Sequence, residues 1–133
     1  MAKYNITDKK EREAAYRSLI SPTLMDELKE KILNVIVMQK KYKDKDYSAK
    51  KLALDLGTNT RYISAVVNVK FHMNYTSFVN KYRIEEAKCL MTEQPDLKIA
   101  DVAAQCGFSS QSVFAQTFSR ETGISPREWS KNY

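Results

Sequence analysis

Three glycines, three prolines, two cysteines and one histidine are all that the 133 residues contain of these types. A single histidine, His72, leaves no pair for a His-based metal site or a charge-relay triad. Cys89 and Cys106 stand apart, which removes a disulfide framework and a Cys-x-x-Cys metal knuckle and gives no reason to invoke an oxidising compartment. The longest nearly apolar run, Ile32 to Met38, is interrupted by Asn34. It falls far short of the roughly 20 residues that a membrane helix needs. No apolar signal segment opens the chain, which points to the cytoplasm. Sustained alternation of apolar and polar residues is missing too, so no sheet is expected. No nucleophile–base pair, metal cluster or phosphate-cradling loop is visible, so neither catalysis nor a cofactor is expected.

What remains is an ordinary globular composition, with 43% apolar and 29% charged residues, enough for one domain or two small subdomains. The formal charge is +6, spread along the chain with no separate basic tail. Such an excess suits contact with phosphate backbones, and it equally suits many proteins that never meet nucleic acid.

The few breakers punctuate an all-α pattern. Pro22, Pro95 and Pro126 fall where helices are about to start, and Gly57, Gly107 and Gly123 each follow an apolar-periodic run, as C-terminal caps do. Residues 1–21 form an extension with an optional helix from Thr7 or Asp8 to about Leu19, carrying Ala14, Ala15 and Leu19 on one side. Alone it is too short to be stable. A second helix is expected from a Thr23 cap, with Leu24, Leu28, Ile32, Val35 and Ile36 as its buried stripe. Ser48 opens a helix in which Leu52, Ala53 and Leu56 recur, and Asn59 or Thr60 opens the next, with Ile63, Val66 and Val67 inward. A long helix over about 74–92 follows, with Phe78, Tyr82, Ala87, Leu90 and Met91 inward, until Gln94-Pro95-Asp96 breaks it. Ile99, Val102, Ala103 and Cys106 lead to Gly107. Ser109 or Ser110 then starts a helix with Phe114 and Phe118 inward, and a short helix over 125–132 carries Trp129.

The pattern is duplicated. Leu52-Ala53-x-x-x-Gly57 recurs as Val102-Ala103-x-x-x-Gly107; after one extra residue in the second turn, Ile63 matches Phe114, Val67 matches Phe118 and Phe78 matches Trp129. Each copy reads as helix, glycine turn, helix: about 48–72 for the first and 97–123 for the second, joined by the long helix. Alanine lets the second helix cross close by, glycine permits the turn, and the following apolar residue pins the second helix to the first.

Residues 98–108 (Lys98-Ile99-Ala100-Asp101-Val102-Ala103-Ala104-Gln105-Cys106-Gly107-Phe108), then Phe114, Phe118, Arg120 through Gly123, Ser125, Pro126 and Trp129, resemble the DNA-binding domain of the AraC/XylS family of bacterial transcription regulators. The resemblance spans about residues 22–133 and is most specific in the second half. It implies a homeodomain-like, bipartite fold: two helix-turn-helix subdomains joined by a linker helix, regulating transcription by binding double-stranded DNA. His72 stands where the family usually has glycine, and Ala65 where it often has a longer polar or basic side chain.

With the inward positions fixed, the second helix of each copy turns a defined set outward: Thr60, Arg61, Ser64, Ala65 and Asn68, then Gln111, Ser112, Ala115, Gln116 and Ser119. The resemblance implies base contacts at Thr60, Arg61, Ser64 and Ala65, and at Gln111, Ser112 and Gln116. Arg61 suits guanine O6 and N7, the glutamines suit adenine N6 and N7, and Ala65 suits a thymine methyl. Phosphate contacts are expected from Lys45, Lys50, Lys51, Lys81, Lys98 and Arg120, and from amides at the helix starts near Ser48 and Lys98.

One monomer is then expected to read two successive major grooves, with RNA polymerase as a further partner and dimerisation left to an N-terminal portion outside this segment. The other reading open to the sequence is a helical protein-interaction module without base readout. Bland roles stand beside the sharp ones. Arg61 and the glutamines are also ordinary surface residues, Lys40 to Lys51 with Asp44 and Asp46 is equally a solvated hinge, and Arg83 is expected to brace acidic neighbours such as Glu86.

Overall fold

The computed structural model describes the backbone of residues 6–132 and the side chains of residues 9–132. Among the described residues there is no strand. Eight α-helices follow one another: α1 (Ile6–Leu19), α2 (Pro22–Leu33), α3 (Ala49–Leu56), α4 (Thr60–Phe71), α5 (Tyr75–Glu93), α6 (Ile99–Cys106), α7 (Gln111–Thr122) and α8 (Pro126–Asn132). A π-helical turn, Asn34–Met38, prolongs α2, and a 3-10 turn, Lys41–Lys43, comes next.

Short polar side chains set the helix starts. Ser48 Oγ accepts from the Lys51 amide, Asn59 Oδ1 from Tyr62, Asn74 Oδ1 from Ser77 and Ser110 Oγ from Val113. For α2 the cap is Ser21, not Thr23: Ser21 Oγ accepts from the Leu24 amide and Pro22 occupies the first helical position, where its missing N–H costs nothing. At the other ends, Gly57 and Gly107 take up left-handed conformations. His72 does the same with φ 60° and ψ 33°, and its amide donates to Asn68 O. The histidine bears a conformational cost of about 1 kcal/mol that glycine would avoid.

The chain divides into two compact units. Unit 1 comprises the residues up to Gln39 and Ser48–Phe78. Its core is Leu28, Ile32 and Ile36, Leu52 and Ala53 of α3, and Ile63, Val66 and Val67 of α4. Phe78 closes it, stacked on Phe71 with ring centroids 4.5 Å apart. Lys70 of α4 pairs with Asp26 of α2 at 2.6 Å, and this ammonium holds the Asp26 carboxyl below its ordinary range. Helix α1 packs along α4. The side it turns inward is not the expected one: Ala14 and Ala15 are exposed, whereas Glu13, Tyr16 and Leu19 are half-buried and Ile20 is buried.

Unit 2 comprises Lys40–Tyr47 and Val79–Tyr133. Its core joins Ile84, Ala87, Leu90 and Met91 of α5 to Val102, Ala103 and Cys106 of α6 and to Phe108, Phe114 and Phe118. The Trp129 ring meets Phe118 edge-on at 6.0 Å. Full burial of each such aromatic contributes about 1.5–3 kcal/mol, so the three phenylalanines dominate this small core.

The segment 40–47, readable in the sequence as a solvated hinge, is packed: Tyr42 and Tyr47 are buried. Arg83 holds it. Nε donates to Tyr42 O at 2.6 Å, one terminal guanidinium nitrogen to Asp44 O at 3.1 Å and the other to Asn80 Oδ1 at 3.3 Å. Arg83 is therefore structural, donating to two backbone carbonyls and an amide oxygen. Glu86 accepts from the Tyr42 hydroxyl at 2.9 Å and pairs with Lys43 at 3.4 Å. Burial, followed by the hydrogen bond to Glu86 and then the Glu86 charge, pushes the Tyr42 phenol upward. Burial likewise pushes the Cys106 thiol up to about 12.

Candidate nucleic-acid interface

Each unit presents the second helix of a helix-turn-helix, and what that helix exposes follows from what its core takes. In unit 2, Phe114, Thr117 and Phe118 of α7 are buried. At helical spacing this leaves the row Ser112, Gln116 and Ser119 outward, with Gln111 beside it. Gln111, Ser112 and Gln116 are exposed as expected, and Ser119 is half-buried. Periodicity missed one neighbour. Val113 of α7 is 42% exposed, unusual for a large apolar side chain, and sits one turn before Gln116. An exposed valine on a helix face otherwise composed of serine and glutamine was the available signal.

In unit 1 the agreement is partial. Thr60 and Arg61 lie exposed in the first turn of α4, and Ser64 is half-buried. Ala65 is not on an open surface. It is 0% exposed, and Val69, one turn further on, is 3% exposed. The expectation that Ala65 faces a base is therefore corrected. The outward set was drawn from the apolar pattern of α4 alone, and that pattern could not include α1, which packs along this helix. Asn68 is also committed: its Nδ2 donates to Ser64 O at 2.9 Å.

The basic residues fall into the same two groups. Lys50 and Lys51 are exposed in the first turn of α3, in unit 1. In unit 2, Lys98 immediately precedes α6, Arg120 is in the last turn of α7, and Lys81 is exposed on α5 with its ammonium 6.0 Å from the Tyr82 ring centre. Lys45 pairs with Asp46 at 3.4 Å, so its charge is partly offset. Lys98 caps α6 without a side-chain hydrogen bond, whereas Ser48 Oγ takes the Lys51 amide at the start of α3.

The glutamine amides of α7 can donate to and accept from base edges, the Arg61 guanidinium of α4 can donate to them, and each unit carries exposed basic side chains suited to phosphate. Among the described residues no group of histidine, cysteine, aspartate or glutamate is placed to hold a metal ion, and no helix is long and apolar enough to cross a membrane.

Comparison with known proteins gives one family match and several structural ones. The profile of a helix-turn-helix domain matches residues 52–132. The transcriptional activator RhaR of Yersinia pseudotuberculosis is 33% identical over 61 residues, covering 46% of this chain and 21% of that protein. The match thus takes in about a fifth of that curated relative's length. Among solved structures, the C-terminal domain of the two-component response regulator yesN from Fusobacterium nucleatum superposes with a TM-score of 0.70 at 26% identity, covering 78% of this chain and 98% of that one. An AraC-type DNA-binding-domain regulator from Chromobacterium violaceum gives a TM-score of 0.57 at 24% identity, with 63% and 74% covered, which speaks to the fold.

Proposed function

The chain belongs to the AraC-type helix-turn-helix family, and on that premise we propose that it binds double-stranded DNA site-specifically and regulates transcription, α4 and α7 being its two recognition helices. One observation carries the reading. In two units built on the same repeat, the helix after the glycine turn exposes polar side chains where the apolar periodicity demands an open face: Thr60 and Arg61 on α4, and Gln111, Ser112 and Gln116 on α7. Arg61 reads guanine through O6 and N7, Gln116 and Gln111 read adenine through N6 and N7, and Val113, in place of the buried Ala65, supplies the apolar contact for a thymine methyl. Thr60, Ser64 and Ser112 make adaptable hydrogen bonds. Lys50, Lys51, Lys81, Lys98 and Arg120 contact phosphates, with Lys45 joining them when it leaves Asp46. Read together, the two helices address two successive major grooves of an asymmetric site, which fits a monomer of this segment acting in the cytoplasm at the nucleoid. Activation through contact with RNA polymerase extends the same reading.

A second reading keeps the scaffold and drops the DNA, making the chain a protein-interaction module in which the exposed Leu54 of α3 would meet the partner. Selection from random duplexes with the purified chain separates the two. The DNA reading expects an enriched sequence and an affinity that falls by orders of magnitude between 50 and 200 mM salt, in the manner of counterion release. Within the selected site, Gln116→Ala is expected to relax preference at one base pair by about 1–3 kcal/mol, roughly 5- to 150-fold, while nonspecific binding stays near wild type. No enrichment, or binding indifferent to salt, would favour the protein-interaction module.

A further inference from the structure

The repeat allows each unit to be judged by the other. Since Ile63 aligns with Phe114 and Val67 with Phe118, Ala65 aligns with Gln116 and Val69 with Arg120. On α7 both residues are exposed. On α4 both are buried. The residue types differ in the same sense: glutamine and arginine on the open helix, alanine and valine on the closed one. Helices α2, α3 and α4 correspond to α5, α6 and α7, whereas α1 has no counterpart in unit 2. Helix α1 packs along α4, and Lys9, Arg12, Glu13 and Tyr16 line a cavity of about 250 Å³ together with Asn68 and His72. Residues 65, 68, 69 and 72 form a single stripe of α4 at helical spacing. That stripe continues the face begun by Arg61, and α1, which packs along α4, meets it at Asn68 and His72.

We propose that α1 is a displaceable cover on the first recognition helix, so that α1 and duplex DNA compete for one stripe of α4 and unit 1 is closed to the groove until α1 leaves. The proposal rests on the DNA reading above. Displacement suits how α1 is held. A helix of 14 residues is marginal by itself. Glu13, Tyr16 and Leu19 are only half-buried, and the cavity leaves part of the contact unfilled. The second unit, with no such cover, engages first.

Amide hydrogen exchange of the full chain tests this, with duplex selected by the same chain. In the free protein α1 amides are expected to be protected. Ala65→Gln, which places the corresponding side chain of α7 at a fully buried position of the helix that α1 packs along, is expected to speed α1 exchange about tenfold without DNA. It should also lengthen the DNA stretch protected from nuclease from one half-site to two. Tyr16→Ala loosens α1 without altering α4, and should give the same two results should Ala65→Gln fail to fold. Raising the wild-type concentration on the duplex until both half-sites are protected should likewise speed its α1 exchange.

Wild-type α1 that exchanges as fast as in Tyr16→Ala would overturn the cover. So would a duplex protected over both half-sites with α1 exchange unchanged. Absence of DNA binding by all three proteins would instead sink the DNA reading, while the DNA-free exchange still decides whether α1 is held on α4.

Discussion

Replacing Gly107 with alanine is expected to cost about 3 kcal/mol or more in a urea titration. Two effects add. Gly107 sits at φ +96°, where an L side chain is strained by about 1–2 kcal/mol. A Cβ there would also lie 2.5 Å from Tyr42 O and 2.8 Å from both C and O of Lys43. These are backbone atoms of a segment that Arg83 fastens down, so they cannot swing aside as a side-chain tip would. Overpacking of that kind adds about 1–3 kcal/mol. Gly57→Ala is the control: its φ is +68° and nothing lies within 4 Å of the added Cβ, so only the strain of about 1 kcal/mol is expected. Equal losses for the two variants would mean that the 42–43 backbone yields.

Arg83→Lys should rank next, at about 2–3 kcal/mol, because hydrogen bonds from a charged donor contribute more than neutral ones and leave costly orphans when removed. The guanidinium reaches Tyr42 O, Asp44 O and Asn80 Oδ1 together from one planar fork, and its carbon lies 6.0 Å from the centre of the Phe108 ring. A lysine ammonium keeps the charge but not the fork. Exchange of the Tyr47 amide, which donates to Asp44 O at 3.2 Å, reports on the segment itself and should accelerate in this variant. A lysine variant as stable as wild type, with Tyr47 still protected, would show that 40–47 is held by its tyrosines alone.

What the sequence made legible was local. Serine and asparagine caps, glycines after apolar runs and the doubled Leu-Ala/Val-Ala motif are written within a turn or two of the structure they specify. From them come the eight helices' order, the cores around Ile63 and Phe114, and the exposure of Arg61, Gln111, Ser112 and Gln116. The misreadings concern partners distant in the chain. Ala65 is fully buried on a helix along which α1 packs, with Tyr16 and not Ala14 or Ala15 on the inward side of α1. Arg83 bonds carbonyls near residue 42 that no spacing rule connects to it. Lysines and aspartates made 40–47 look solvated, while Tyr42 and Tyr47 were the residues that decided its burial. Thr23 lost the cap to Ser21 because Pro22 favours the first helical position.

The two cysteines have opposite fates, and this has a practical side. Cys106 is sealed in the core, where burial raises its thiol pKa, whereas Cys89 stands exposed on α5. A maleimide dye added to the unaltered native chain should therefore attach at one place only. Fluorescence anisotropy can then follow the molecule with no substitution at all, and attachment of two dyes would announce that the core around α6 had opened.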